Sequence, residues 1–125
     1  MRLTLIALAA GAVLVAGCAM RAPYSPQLQS KLGEVSDRVY ITSIKEKVMP
    51  DGTLKLAVFA ESDTRFDQSI KYRANWFDAN GMPIETTVSA YEPRLITGKT
   101  AFDFTVVAPG PKAKSYKIDI LSEGQ

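Results

Sequence analysis

The chain lacks histidine altogether and contains a single cysteine among its 125 residues. Without histidine there is no imidazole to act as a general base beside a serine or cysteine, and no imidazole ligand for a metal ion. Without a second cysteine the chain forms no internal disulfide. We therefore predict a protein that is not an enzyme, with no catalytic residue, no metal site and no cofactor.

A strong charge of either sign is also missing. Fifteen Lys and Arg residues stand against 13 Asp and Glu residues, so the formal net charge is +2. Such a balance argues against a nucleic-acid partner held by bulk electrostatics. Hydrolysis by two carboxylates stays open in principle, and so does an oxygen-ligand calcium site. The residues for either are Glu61, Asp63, Asp67 and Asp78, for which a polar loop and turn chemistry are the simpler interpretation.

The first 17 residues have the layout of a secretory signal peptide. Met1 and Arg2 precede an uninterrupted apolar run, LTLIALAAGAVLVA, from Leu3 to Ala16. As a helix this run would be about 21 Å long, whereas the hydrocarbon core of a bilayer is about 30 Å thick. We therefore assign residues 1–17 to a removed signal and leave them out of the fold.

The end of this segment resembles the lipobox of bacterial lipoproteins, with Val15, Ala16 and Gly17 placed before Cys18. The resemblance implies signal-peptidase recognition of those residues, cleavage before Cys18, and acyl chains on its thiol and new amine. The alternative is an ordinary signal peptide that ends near a buried cysteine. Ala19 follows where inner-membrane lipoproteins usually carry Asp, so the resemblance implies a lipid anchor in the outer membrane, facing the periplasm.

Residues 18–36 are polar and contain two prolines, which predicts a lipidated tether. Within it Ser25 and Pro26 could cap and open a short helix, with Leu28, Leu32 and Val35 on one stripe. An unstructured tether fits the composition equally well. The folded domain is expected to occupy residues 37–125.

From residue 37 onward the apolar residues recur with a period of two, which is typical of strands. Turn residues separate the strands at 49–52, 78–81 and 109–111. The predicted strands cover about 38–48, 54–61, 70–76, 84–90, 102–108 and 116–120. One open sheet would leave an apolar face in water, so the prediction is an all-β protein, a single immunoglobulin-like antiparallel β-sandwich of six to seven strands.

The stretch YRANWFDANG, residues 72–81, is similar to the signature of a family of small bacterial envelope lipoproteins, the YcfL-like family. The matching residues include Tyr72, Trp76, Asp78 and Gly81, while Ala74 stands where the family has an aromatic. The resemblance implies no catalytic residues, and a gene often placed beside an activator of peptidoglycan synthesis. From the residues alone, Trp76 packs in the core and Asp78 and Gly81 set a turn, and the alternative is a binding loop at the hairpin tip.

The stretch from Tyr91 to Lys99 is predicted to be a loop that places Tyr91, Leu95 and Ile96 among turn residues. An aromatic with aliphatics on a loop is typical of a partner-binding patch. The same residues could instead cap the open end of the sandwich.

These features predict a lipid-anchored, periplasm-facing, non-catalytic protein-interaction module with a link to cell-wall assembly. Its partners would be the membrane, through the anchor, and an envelope protein. The alternative is a structural subunit of a larger envelope or secretion assembly, similar to the lipoprotein of type VI secretion systems.

Overall fold

The structure is a computed structural model and describes residues 21–85 and 90–123. The predicted signal peptide and Cys18 lie outside the described residues, as do positions 86–89 of the predicted fourth strand. Within the described residues the protein is all-β, with eight strands and one short helix. That helix is neither long nor apolar enough to cross a bilayer.

The elements follow one another along the chain in this order: α1 Pro26–Gln29, β1 Leu32–Val35, β2 Val39–Val48, β3 Leu54–Ser62, β4 Gln68–Phe77, β5 Pro83–Ile84, β6 Glu92–Ile96, β7 Ala101–Val107 and β8 Ser115–Ser122. They form two sheets. The three-stranded sheet has the order β2-β3-β7, and the five-stranded sheet has the order β1-β8-β4, with both β5 and β6 pairing along the other edge of β4. All these pairings are antiparallel except that of β1 with β8, which is parallel.

The core lies between the inner faces of the two sheets. In β3, Leu54, Leu56, Val58 and Ala60 are all buried, as period-two alternation predicts. The Tyr72 ring from the five-stranded sheet stacks on Phe104 from the three-stranded sheet, with centroids 3.9 Å apart. Each fully buried Leu, Ile, Val or Phe contributes about 1.5–3 kcal/mol through removal of its apolar surface from water. The two faces therefore hold each other in a sandwich-like arrangement.

A β-bulge explains why the apolar face of β2 is ambiguous in the sequence. The register with β3 shifts between Ile41 and Ser43, so one extra residue, Thr42, is accommodated there. Ile41 and Ile44 can then both contribute to the core although they are three positions apart. Strict alternation fails at this point because the bulge changes the phase of the strand.

The predicted helical stripe through Leu32 and Val35 is wrong, because both residues belong to a strand. Leu32 pairs with Ile118 and Val35 with Ile120 of β8. Leu32 is 5% exposed, and Tyr24, Leu28 and Val35 pack against the core. The domain therefore begins before residue 37, and the parallel β1–β8 pair departs from a purely antiparallel sandwich. Residues 32–35 form a strand because β8 supplies backbone hydrogen-bond partners and lets Leu32 be buried.

Two further elements differ from the sequence prediction. The stretch predicted as a loop from Tyr91 contains β6, because residues 92–96 pair with Gln68–Tyr72 at the edge of β4. The predicted fourth strand at 84–90 is a strand only at Pro83–Ile84 within the described residues, and Glu85 lies outside it.

Candidate functional site

The outer face of the five-stranded sheet carries an aromatic, two cations and several apolar side chains. In β4 the residues that alternate with buried Ile70 and Ala74 point outward, which places Lys71 and Arg73 on this face. Lys71 lies between Pro93 of β6 and Leu121 of β8, and Ser69 lies opposite Leu95. We call this area the Tyr91 surface. Its members are Lys71, Arg73, Tyr91, Pro93, Leu95 and Leu121.

Tyr91 sits against both cations at the centre of this surface. The Lys71 Nζ lies 5.0 Å and the Arg73 Cζ 4.2 Å from the centroid of the Tyr91 ring. A cation over an aromatic ring at such an exposed site contributes about 0.5–1 kcal/mol. The two contacts hold the half-buried tyrosine ring on the sheet.

Asp119, the register partner of Arg73 on β8, fixes the position of the arginine side chain. This carboxylate is only 6% exposed and accepts hydrogen bonds from Arg73 Nε at 3.1 Å, Asn75 Nδ2 at 2.8 Å and the backbone N–H of Glu34 at 2.8 Å. Three donors compensate its burial. From the sequence, Asp119 was expected on a solvated strand surface, and its burial differs from that expectation, although a carboxylate inside an otherwise apolar strand stretch, IDIL, was a usable signal.

The predicted partner patch is divided by the alternation of β6. Leu95 is 69% exposed and belongs to the Tyr91 surface, whereas Ile96 is 3% exposed and lies in the core opposite Gln68. Ile96 as a member of a surface patch was therefore a wrong prediction. Adjacent residues of a strand point to opposite faces, and the prediction treated this stretch as a loop.

The residues of the hairpin within the stretch YRANWFDANG have structural contacts. Trp76 is 1% exposed, and its Nε1 has no hydrogen-bond partner among the described residues. Asp78 Oδ1 accepts from the N–H groups of Asn80 and Met82, and Gly81 takes a positive φ of 80°. Burial raises the pKa of the Tyr72 hydroxyl, whose ring lies against Phe104.

The candidate carboxylates also hold local structure. Arg21 pairs with Glu61 at 2.7 Å and Asp63 at 2.6 Å, and Asp67 accepts from the N–H of Gly98 at 3.2 Å. In residues 21–85 and 90–123 no group of three or more Cys, Asp or Glu side chains is placed to hold a metal ion. These carboxylates therefore act as partners for arginine and for backbone N–H groups.

A cleft of about 510 Å³ adjoins the Tyr91 surface at Leu121. It is lined by Glu34, Val35, Ser36, Asp37, Arg38, Leu121 and Ser122. Beneath it lies a buried polar network in which Gln68 Nε2 donates to Ser62 Oγ at 3.1 Å and Gln68 Oε1 accepts from Ser122 Oγ at 3.0 Å. Each of these polar groups therefore has a hydrogen-bond partner, which compensates its burial.

Comparison with known proteins places the chain in one family. No curated protein matches the sequence. Two crystal structures resemble the fold, each with a TM-score of 0.61. A DUF1425 family member from Shewanella sp. pv-4 is 20% identical, with 70% of this chain and 80% of that chain covered. Campylobacter jejuni cj0090 is 15% identical, with 72% of this chain and 96% of that chain covered.

A family model described as a protein of unknown function, DUF1425, matches residues 27–122. The chain therefore belongs to the DUF1425 family.

Proposed function

We propose that this protein is a lipid-anchored, periplasm-facing and non-catalytic interaction module of the bacterial envelope, and that its partner binds the Tyr91 surface. The observation that carries the proposal is the combination of Leu95, 69% exposed, with a tyrosine whose ring contacts two cations. Tyrosine and arginine are enriched at protein interfaces and dominate their binding energy. An exposed leucine beside them supplies apolar area that a partner would bury.

The charge of the surface suggests the chemistry of the partner. Lys71 forms no ion pair within the part of the chain that the structure describes, and Arg73 shares its charge with Asp119. A binding segment with one or two acidic side chains beside apolar ones would complement this face. The adjoining cleft at Leu121 offers room for such a segment to continue.

Several finer assignments belong to the same proposal. Lipidation of Cys18, after recognition of Val15, Ala16 and Gly17, would anchor the module in the outer membrane. A YcfL-like relationship and its link to cell-wall assembly are proposed on the signature from Tyr72 to Gly81. An immunoglobulin-like sandwich is supported by short strands in two sheets around a buried Trp76.

Photocrosslinking in cells tests the partner surface. A photoreactive amino acid placed at Leu95 of the full-length lipoprotein should capture one discrete envelope protein, identified by mass spectrometry. The same amino acid at Asn80, which is exposed at the tip of the β4–β5 hairpin, should capture much less. The additional change Lys71→Glu should lower the yield at Leu95 severalfold, because it reverses the charge offered to an acidic partner. Lys112→Glu makes the same charge change at another exposed site and should leave the yield unchanged.

Other outcomes would replace the proposal by a different one. Capture at Asn80 alone would assign binding to the hairpin tip. Capture of only further copies of this chain at both positions would favour a structural subunit of a larger assembly. A Cys18→Ala form that remains membrane-bound and still captures the partner would remove the lipid anchor from the proposal.

A further inference from the structure

We propose that the outer face of the three-stranded sheet lies on the anionic lipid headgroups of the membrane that anchors the protein. The inference rests on the proposed lipidation of Cys18 and adds an orientation to it. The Tyr91 surface, on the opposite side of the sandwich, would then face away from the bilayer.

The start of the described chain is fastened to this face. Arg21 lies over the ring of Tyr40, with its Cζ 4.7 Å from the centroid, and pairs with Glu61 and Asp63. Tyr40 and Glu61 are register partners, and both alternate with buried neighbours, so they point outward. The hydroxyl of Tyr40 also donates to the carbonyl of Ala22 at 3.1 Å. These contacts fix where the chain leaves the domain.

The distance from that point to the anchor is short. Only Ala19 and Met20 separate Cys18 from Arg21. Three residue steps span at most about 11 Å even when fully extended. The Cα of the acylated Cys18 would therefore lie within about 11 Å of the Cα of Arg21, whose side chain packs on the outer face at Tyr40.

The other end of the same face carries three lysines. Lys45, Lys47 and Lys55 are all exposed and alternate with the inward residues of β2 and β3. We call them the lysine row. Lys47 lies directly opposite Lys55, and like charges in that position destabilise a sheet. In the described ranges none of the three forms an ion pair, and only Lys45 contacts an aromatic ring, that of Phe59. Folding alone gives no reason for this arrangement.

The carboxylates of the face lie nearer to Arg21. Glu61 is paired with Arg21, and Asp103 lies opposite Phe59, two rows from Lys55. The outward positions next to the lysine row are occupied by uncharged residues, Ala57, Thr105 and Val107. Asp51, in the turn after β2, accepts a hydrogen bond from the N–H of Thr53 within its own turn. The lysines therefore present an unneutralised positive charge.

An anionic lipid surface is the occupant that fits both observations. A lysine near such a surface strengthens binding about fivefold, and a lipid chain combined with a basic patch anchors more firmly than either alone. The register partners of Tyr40 and Lys47 on β3 are six residues apart, so the two positions lie roughly 20 Å apart along the sheet. Contact at the anchor and at the lysine row would thus hold the sheet flat on the membrane. Because the lipid already holds the domain close, the second contact forms at high effective concentration.

Site-directed spin labelling of the lipidated full-length protein tests this orientation. Cys18 is the only cysteine and its thiol is used by the lipid, so an introduced cysteine carries the only label. Thr105→Cys places the label on the outer face of the three-stranded sheet, and Ser69→Cys places it on the outer face of the five-stranded sheet. Each form is reconstituted into phosphatidylcholine vesicles with and without phosphatidylglycerol. The readout is the collision rate with a water-soluble paramagnetic nickel chelate.

We expect the label at position 105 to collide severalfold less often when phosphatidylglycerol is present, and the label at position 69 to show no change. Lys45→Glu, Lys47→Glu and Lys55→Glu together should abolish the protection at 105 while the protein stays on the vesicles through its lipid. A control with Lys112→Glu, Lys114→Glu and Lys117→Glu makes an equal charge change at exposed positions elsewhere and should retain the protection.

Equal collision rates at positions 105 and 69 in anionic vesicles would overturn the orientation while leaving the anchor intact. Protection at 69 alone would invert it and would also place the Tyr91 surface against the membrane. A protein whose mass shows no acyl chains and which stays off the vesicles would overturn the anchoring proposal, and the orientation with it.

Discussion

At the scale of single residues, the contact between Gly33 and Asp119 holds β1 against β8. A Cβ at position 33 would lie 2.1 Å from Asp119 Oδ1 and 3.3 Å from its Cγ. The missing side chain therefore lets this buried carboxylate reach the N–H of Glu34 while it also holds Arg73. A residue without a Cβ is required here by close approach, since its φ is not in the left-handed region.

Gly33→Ala should lower the free energy of unfolding by about 1–3 kcal/mol, because the methyl group displaces a buried carboxylate from its donors. Chemical denaturation measures the loss. Gly110→Ala is the matched control, since nothing lies within 4 Å of a Cβ at that position. Its effect should stay within about 0.5 kcal/mol. Equal effects of the two substitutions would contradict the role assigned to Gly33.

At the scale of elements, the N-terminal segment 21–31 acts as a strap along β2. The Tyr24 ring stacks on Tyr40 with centroids 5.0 Å apart, and its hydroxyl accepts a hydrogen bond from the N–H of Ile41 at 3.1 Å. Burial raises the pKa of Tyr24. Ser25 caps α1 by accepting from the N–H of Leu28, and Pro26 opens the helix. The strap thus provides a hydrogen-bond acceptor for β2, an edge strand whose unpaired N–H groups could otherwise pair with other chains.

Tyr24→Phe should speed hydrogen exchange at the Ile41 amide roughly tenfold, because the ring stacking remains while the acceptor is lost. Exchange is followed residue by residue with NMR. The Val58 amide, in the strand paired on both sides, is the internal reference and should not change. Unchanged exchange at Ile41 would show that the strap does not protect this edge.

At the scale of the whole molecule, Glu46 connects the strap with both sheets. Its Oε2 accepts from Lys31 Nζ at 2.8 Å and from the hydroxyl of Tyr116 on β8. These bonds, first that of Lys31 and then that of Tyr116, lower the pKa of the Glu46 carboxyl below its ordinary value of 4.5. Burial, followed by the bond to Glu46, raises the pKa of Tyr116. The carboxylate of Glu46 therefore links β2 to Lys31 of the strap and to Tyr116 of β8.

Glu46→Gln should cost about 1 kcal/mol or less at pH 7, since the pair with Lys31 is more than one-third exposed to water. A carboxyl with a lowered pKa in the folded state stabilises the fold above its ordinary pKa of 4.5, and this contribution is lost as the pH falls below that value. The difference between wild type and variant should therefore shrink below pH 4.5 in urea titrations across the pH range. Glu85→Gln, at an exposed position, should show no such difference. An equal cost of Glu46→Gln at pH 3 and at pH 7 would contradict this account.

Strand positions were predictable where the apolar alternation is long. β3 and β8 repeat buried apolar residues at every second position, and the local sequence predicts this pattern, although in β8 Asp119 is buried as well. β1 and β6 were missed because they are four and five residues long and contain Gly33 and Pro93. They become strands only because β8 and β4 present free edges to them.

The sequence by itself determined the available side-chain chemistry and the period of the longer strands. The absence of imidazole, the single thiol and the turn at Asp78 follow from residue identity and near neighbours. Only the tertiary structure decided that Leu95 faces outward while Ile96 faces inward, and that the Tyr91 ring contacts Lys71 and Arg73. The physical reason is that periodicity is a property of neighbouring residues, whereas sheet faces are completed by strands distant along the chain.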